Sequence, residues 1–596
     1  KLEKLIDNQL SDHDLTIAYT VFHRFQKRVQ QRTELVETLI KRDFDFTINE
    51  TVNQDLSLNE FPKNAAEVED RWRRQLKYDL LILNSKETQS TATRDRVLLR
   101  YRHFAQQIAQ TTADDLLEIF LSSLASSFDP HTSYLSPPSY ERLRIRMRLN
   151  YQGIGAELEQ HLGYVAIRKL IPGGDAARQD KLQPKDRIVS VGQGVEAEMI
   201  DVTGKTLRDI VQLVRGQEGT TVRLGILPAN GGEMTIHQLT RSKIDLKDAA
   251  ARSVVIEGPV KPNGMPARVG IIKLPSFYVD AEAARNNLAD FKSCSRDVGK
   301  ILKDFQKQQV DVVLLDLRNN GGGSLIESIR LTGLFIDQGP VVQVKDSHQQ
   351  VKLMLDTDAT IAWSGPLVVL TSRMSASASE IFAGAIQDYR RGLILGDHAT
   401  YGKGTVQQLL DLNRQLFRAP SNNVNLGALK ITIQKFYRPN GETTQLRGIL
   451  PDVILPSRTE ASQSDEAKLN FSLPFDQVDA TSFTPYRFTN PQLIAQLSKQ
   501  STARQAESAD LQALKERIKH SQKTQQAKTI SLNRQQYLAS SASHNLAVEP
   551  TSTPPGNPRN PVMEQGPYLT EVLSIVNDYL RLIDKEKISI ERKIPE

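Results

Sequence analysis

The chain has 596 residues, 39% of them hydrophobic, with 76 basic against 70 acidic side chains and a net charge of +6. That length and apolar content allow three or four domains with real cores, and the single cysteine, Cys294, excludes an intramolecular disulfide and argues against a thiolate metal site. No basic stripe interleaved with aromatics marks a nucleic-acid surface, and no apolar run approaches the roughly 18 residues that a bilayer span needs.

Residues 1–147 read as mainly helical. The opening KLEKLIDNQL is an amphipathic helix and not a secretory leader, and Leu116, Leu117, Phe120, Leu121 and Leu124 mark a further helix face. DPHTSYLSPP then closes the region with turn chemistry. Its His131 reads as structural, because no second histidine or acid stands at ligand spacing. From 148 to 242 short strands alternate with glycines: Gly153-Ile154-Gly155-Ala156, then Tyr164–Ile167, Pro172-Gly173-Gly174 and a helix Leu207–Arg215.

Between 243 and 460 apolar strands alternate with helices. Strands are expected at 269–274 and 310–317, with helices at 281–308 and 325–334. Leu367–Leu370 and Leu393–Leu395 are further strands, and Ala428–Phe436 and Gly448–Val453 are expected to finish the sheet. Such alternation implies a parallel-dominated sheet with sites at the carboxyl ends of its strands. Residues 461–596 turn polar, then helical from 491 to 520. The Ser-, Gln-, Asn- and Pro-rich stretch 521–561 reads as a flexible linker, and a last amphipathic helix places Val572, Leu573, Val576, Leu580 and Ile583 on one face.

The chemistry concentrates in 367–408. A strand, a turn of small residues (Ser375 to Glu380) and a helix start put a hydroxyl where helix N–H groups point outward. Spacing alone does not choose among Ser375, Ser377 and Ser379, and a helix cap would suit any of them. The loop Arg318-Asn319-Asn320-Gly321-Gly322-Gly323 offers backbone donors to an oxyanion, and it lacks both phosphate-loop spacings. Two bases compete: His398 beside Asp397, and Lys403 between two glycines. A free lysine of pKa ~10.4 costs roughly 4–5 kcal/mol to deprotonate at pH 7, so Lys403 serves only if burial lowers that value.

SASASE (375–380), QDY (387–389), GKGTVQ (402–407), LRNNGGG (317–323), DPHTSYLSP (129–137) and LPSFY (274–278) together resemble the carboxyl-terminal processing proteases of the peptidase S41 type, and among them the tail-specific proteases of the bacterial periplasm. The resemblance implies a multidomain α+β chain: a helical N-terminal domain (1–147), a PDZ domain (148–242), a crotonase/ClpP-like serine protease core (243–460) and a helical C-terminal domain (461–596). It makes Ser377 the nucleophile, Lys403 the base and Gln407 the residue that orients the amine. Gly323 and Ala378 supply the oxyanion N–H groups, and Asp388 gives indirect support. Gly153, Ile154, Gly155 and Ala156 match the loop that holds a peptide's terminal carboxylate.

The implied activity is ATP-independent cleavage of unfolded or flexible proteins with apolar C-termini, without cofactor or metal. A mature periplasmic form with its signal removed is implied, with murein-related targets. A helical-repeat lipoprotein adaptor and peripheral membrane association fit the same resemblance, whereas nucleic acid does not. An empty PDZ domain is expected to leave the site misaligned, with Lys243–Asp248 as hinge. The rival readings are a non-catalytic PDZ scaffold, which would bind tails without hydrolysis, and a crotonase-like thioester enzyme.

Overall fold

Runs of β-branched and leucine side chains with no polar alternation build the sheet on which the site stands. In the computed structural model, Pro266–Lys273, Val312–Asp316, Leu367–Thr371 and Leu393–Gly396 pair in parallel in that order. Arg252–Val260 adds an antiparallel edge and Val453–Ile454 a parallel one. The structure describes residues 12, 14–53, 60–83, 90–161, 164–260, 265–416, 425–461, 465–545 and 562–585. The amphipathic helix expected at 1–10 and residues 546–561 of the expected linker lie outside them.

Val312 to Leu315 and Leu367 to Leu370 have no exposed surface, as strands covered on both faces require. One face carries Val269, Ile271, Leu314, Val368 and Leu395 against Leu493 and Leu497 of the helix Pro491–Glu507. The last helix, Pro567–Lys585, adds Val572, Ile575, Val576 and Tyr579 to the same cluster. That helix therefore docks on its own chain. On the other face Phe305 of the helix Cys294–Lys307 lies over Gly270, where a Cβ would sit 2.5 Å from the ring.

A second, antiparallel sheet runs Val351–Asp356, Gly339–Asp346, Ala428–Tyr437, Thr405–Asp411. Here the expectation for Ala428–Phe436 is corrected: it does not finish the parallel sheet but lies inside this second one. Leu-Lys-Ile-Thr-Ile-Gln-Lys-Phe alternates apolar and polar, the pattern of a half-buried antiparallel strand. Ser133–Leu135 pairs with its first residues, 428–430. The helix expected over 281–308 is two, Ala281–Arg285 and Cys294–Lys307, the second capped by Ser293 at the Arg296 N–H. Ser508 likewise divides Pro491–Glu507 from Ala509–Gln526.

All of these elements belong to a unit formed by 118–149, 247–527 and 541–596. The other unit comprises 1–117, 150–246 and 528–540. In it, Val36, Leu39, Leu76, Leu80 and Val97 from the helices Thr16–Leu39, Ala65–Leu83 and Thr91–Ala109 form one core. Leu532 joins that core, and Thr529–Ser531 pairs with Thr51–Asn53. Together with the helix Arg534–Asn545, this corrects the start of the linker expected from 521. Polar composition there does not prevent order, because one buried leucine and a strand partner suffice to anchor it.

The same unit holds a five-stranded antiparallel path, Ala156–His161, Tyr164–Leu170, Arg187–Gln193, Thr221–Leu227, Thr235–Thr240. The helix Leu207–Val214 belongs to it, with Thr206 and Asp209 as a capping box. The strands entering and leaving, Asn150–Gly153 and Ser242–Asp245, pair with each other.

Candidate active site

The three serines left equivalent by spacing part company in the structure. Ser375 and Ser379 have no exposed surface, and their hydroxyls donate to main-chain carbonyls of the glycine loop segment: Ser375 Oγ to Leu317 O at 2.7 Å, Ser379 Oγ to Asn320 O at 2.8 Å. Ser377 alone of the three lines a cavity of about 860 Å³. Its backbone has φ +57° and ψ −115°, a conformation that costs of order 1–3 kcal/mol in a residue with a Cβ. The helix Ala378–Asp388 begins at the next residue.

Beside this elbow the glycine loop closes in to van der Waals contact. A Cβ on Gly322 (φ +103°) would meet the Ser377 Cβ at 2.9 Å, and one on Gly323 (φ +146°) would meet Phe277 O at 2.4 Å. Asn320 pins the loop by donating to Leu274 O and accepting from the Gly322 N–H. The bridge to Phe277 uses Gly322 O and the Ser324 N–H, which leaves the Gly323 N–H out of it. Gly323 and Ala378 both line the cavity.

Lys403 lines it too, with Thr405 and Gln407. Its Nζ donates to Thr405 O at 2.7 Å and to Gln407 Oε1 at 2.5 Å. A neutral amine has two N–H bonds, so both are engaged and the lone pair is left free. Desolvation pushes the Lys403 pKa down to about 8, and the Lys430 ammonium on the cavity wall pushes the same way; Glu466, Glu380 and Asp129 pull it up. At pH 7 about one-tenth of the side chain is then free amine. Removing the positive neighbour (Lys430→Met) is expected to raise this pKa, as an NMR titration of the Lys403 side chain would show; Lys430→Arg should leave it in place.

A carboxylate to which no sequence expectation gave a role, Glu380, joins the two halves of this site. Glu380 has no exposed surface. One oxygen accepts from the Ser377 N–H (2.7 Å) and the Lys403 N–H (3.1 Å), the other from Thr400 Oγ1 (2.6 Å) and the Gly402 N–H (2.7 Å). Burial pushes its pKa up to about 7 against the pull of those four donors. The signal was present: Ser377-x-x-Glu380 has capping-box spacing.

Other singled-out residues are placed elsewhere. Asp388 pairs with Arg438 and accepts from the Asn440 N–H, at the far end of the helix that Ser377 starts. Arg318 pairs with Asp316 and stacks 4.8 Å from the Tyr568 ring. His398 is largely exposed (65%), with its Nδ1 against the Glu460 carboxylate, while Asp397 accepts from Ser457, Thr459 and the Arg373 N–H. Asp397 therefore does not orient His398. His131 has an acid partner after all, remote in sequence: Glu466, 2.8 Å from its Nε2. Among the described residues no group of three His, Cys, Asp or Glu side chains could hold a metal ion.

In the other unit, the loop Gly153 to Ala156 is held by the Ile171 N–H on Gly155 O and the Ala176 N–H on Ile154 O. Gly155 (φ +80°) lies against Gly174, where a Cβ would meet the Cα at 2.5 Å. Ala156 opens the edge strand of its sheet, and such an edge can accept an added strand.

Residues 268–455 match peptidase family S41, residues 1–138 the tail-specific protease N-terminal domain, and residues 459–553 the C-terminal domain of tail-specific protease. The chain is 36% identical over 530 residues to a tail-specific protease of Haemophilus influenzae, covering 89% of this chain and 73% of that one. It is 29% identical over 396 residues to the chloroplastic carboxyl-terminal-processing peptidase 2 of Arabidopsis thaliana, covering 63% and 69% of the two. Among solved structures, a photosystem II D1 C-terminal processing protease shares 25% identity over 62% of this chain and 89% of its own, with a TM-score of 0.32. The PDZ domain of a Vibrio cholerae carboxy-terminal protease, in complex with peptide, shares 40% identity over 16% of this chain and all of its own, with a TM-score of 0.16. The chain belongs to peptidase family S41 and carries the N-terminal and C-terminal domains of its tail-specific proteases.

Proposed function

We propose that this chain is an ATP-independent serine endopeptidase of the periplasm that captures apolar C-terminal tails and cleaves the attached protein with a Ser377–Lys403 dyad on a crotonase/ClpP-like core. The observation that carries the reading is one cavity holding a hydroxyl on a strained elbow and a desolvated amine with both N–H bonds engaged. Ser377 Oγ attacks the scissile carbonyl as its proton passes to the Lys403 lone pair. The Gly323 and Ala378 N–H groups receive the oxyanion. The Lys403 ammonium then protonates the leaving amine, and the recovered amine activates the water that hydrolyses the acyl-enzyme. Gln407 and Thr405 O hold the amine; Asp388 supports the nucleophile helix through Arg438.

The sheet that follows Gly153–Ala156 acts as a PDZ domain. Loop N–H groups take the tail carboxylate, and the tail extends the edge strand that Ala156 opens. Entry and exit of this domain are paired at Asn150 and Asp245, so Lys243–Asp248 transmits tail binding as a hinge.

The test is hydrolysis, without nucleotide, of an unfolded protein carrying an apolar C-terminus. The wild type and His398→Ala should cleave it; Ser377→Ala and Lys403→Ala should bind the tail and leave the chain intact. Tail binding without cleavage by the wild type would instead indicate the scaffold. Cleavage lost in His398→Ala and kept in Lys403→Ala would overturn the dyad.

A further inference from the structure

The segment DPHTSYLSP lends the chemistry above only the charge of Asp129, yet that residue is also joined to it by an unbroken chain of hydrogen bonds. We propose that Asp129, acting through Thr432, is a positioning residue that fixes which edge of the Gln407 amide faces Lys403. This inference rests on the Ser377–Lys403 reading.

The placement comes from the second sheet. Ser133–Leu135 pairs with Ala428–Lys430, which brings the 129–132 turn beside the strand Ala428–Tyr437. On that strand Thr432 stands directly opposite Gln407. Asp129 is 6% exposed. Its Oδ1 accepts from the His131 and Thr132 N–H groups and from Thr432 Oγ1 at 2.8 Å, and its Oδ2 from Thr132 Oγ1.

Burial pushes the Asp129 pKa up, but the hydrogen bonds from Thr132 and Thr432 outweigh it and hold the pKa below the usual carboxylate range. Asp129 is thus an ionised, acceptor-only group at neutral pH. That fixes the direction of every later bond. Thr432 has one hydroxyl proton and must give it to Asp129, so its oxygen can only accept from Gln407 Nε2, 3.0 Å away. The second Nε2 proton goes to Thr405 Oγ1 at 2.9 Å. With both amide protons placed, Gln407 Oε1 is the edge left for Lys403 Nζ.

A Gln amide is nearly symmetric in shape, and its hydrogen bonds decide its orientation. The reversed amide would offer N–H to the Lys403 lone pair, occupying the electrons that take the Ser377 proton. Tail capture would be untouched. The expected signature is therefore a fall in kcat with KM unchanged.

The experiment compares Thr432→Val with Thr432→Ser on a peptide bearing an apolar tail, measuring kcat, KM and thermal midpoint, with Ser377→Ala and Lys403→Ala as references. Valine keeps the shape and removes the acceptor; serine keeps the hydroxyl. Thr432→Val should lower kcat roughly 10- to 100-fold with KM and midpoint near wild type, and Thr432→Ser should recover most of the loss. Thr432→Val within about twofold of wild type, beside inactive reference variants, overturns the Asp129 chain and leaves the dyad standing. Equal impairment in both Thr432 variants also overturns it, by showing a role in shape alone. Activity that survives Lys403→Ala removes the dyad and this inference with it.

Discussion

Lys403→Ala is expected to reduce kcat/KM roughly 10²- to 10⁴-fold, the range for removing a positioned general base, while the affinity for an apolar tail stays at the wild-type value. The two N–H bonds of the Lys403 amine are taken by Thr405 O and Gln407 Oε1, and desolvation brings its pKa down to about 8, inside the window where a base is both free and strong enough to accept a hydroxyl proton. Lys403→Arg should be as inactive as alanine, because a guanidinium does not deprotonate in a protein. Steady-state hydrolysis and tail binding by fluorescence anisotropy check both variants. An active Lys403→Arg enzyme would mean that only positive charge is needed there.

Glu380→Gln is expected to lose both activity and stability. Four donors converge on the two oxygens of Glu380: the N–H groups of Ser377, Gly402 and Lys403, and the Thr400 hydroxyl. A glutamine turns one of those oxygens into an NH₂ that faces donors. Each buried group left unpaired costs about 1–3 kcal/mol, so one misdirected edge removes several kcal/mol from the fold. Because the same carboxylate holds the backbone at both Ser377 and Lys403, kcat should fall by about 100-fold even at temperatures where the variant is folded. Thermal unfolding and kcat at 15–20 °C below the new midpoint separate the two effects. A variant with lowered midpoint and full kcat would make Glu380 a structural group only.

Much of the site could be read from local pattern. Continuous apolar runs such as Val312–Leu315 and Leu367–Leu370 announce strands buried on both faces, and small residues between strand and helix announce a turn. What local pattern could not supply was direction and pairing. Nothing in Ser375-Ala376-Ser377-Ala378-Ser379 says which hydroxyl faces a cavity; the outer two are taken by Leu317 O and Asn320 O, partners more than fifty residues away. His131 looked partnerless because Glu466 is 335 positions distant. Ala428–Phe436, expected in the parallel sheet, lies in the antiparallel one, although its alternation is in plain view. The expected linker hid an ordered strand because composition reports average polarity, whereas buried Leu532 and the pairing with Thr51–Asn53 anchor it. Asp129 could not be seen at all, since its influence runs through Thr432 to Gln407 and only the fold brings these three together.

In the proposed reaction a desolvated lysine amine, and no histidine, takes the proton of Ser377. The kcat/KM–pH profile between pH 5.5 and 10, recorded for the wild type and for His398→Ala on one tailed peptide, addresses it most directly. Both enzymes should gain activity as pH rises through about 8, where the Lys403 ammonium gives up its proton. A gain centred at about 6.5, the ordinary histidine value, present in the wild type and absent from His398→Ala, would rule the lysine out as base.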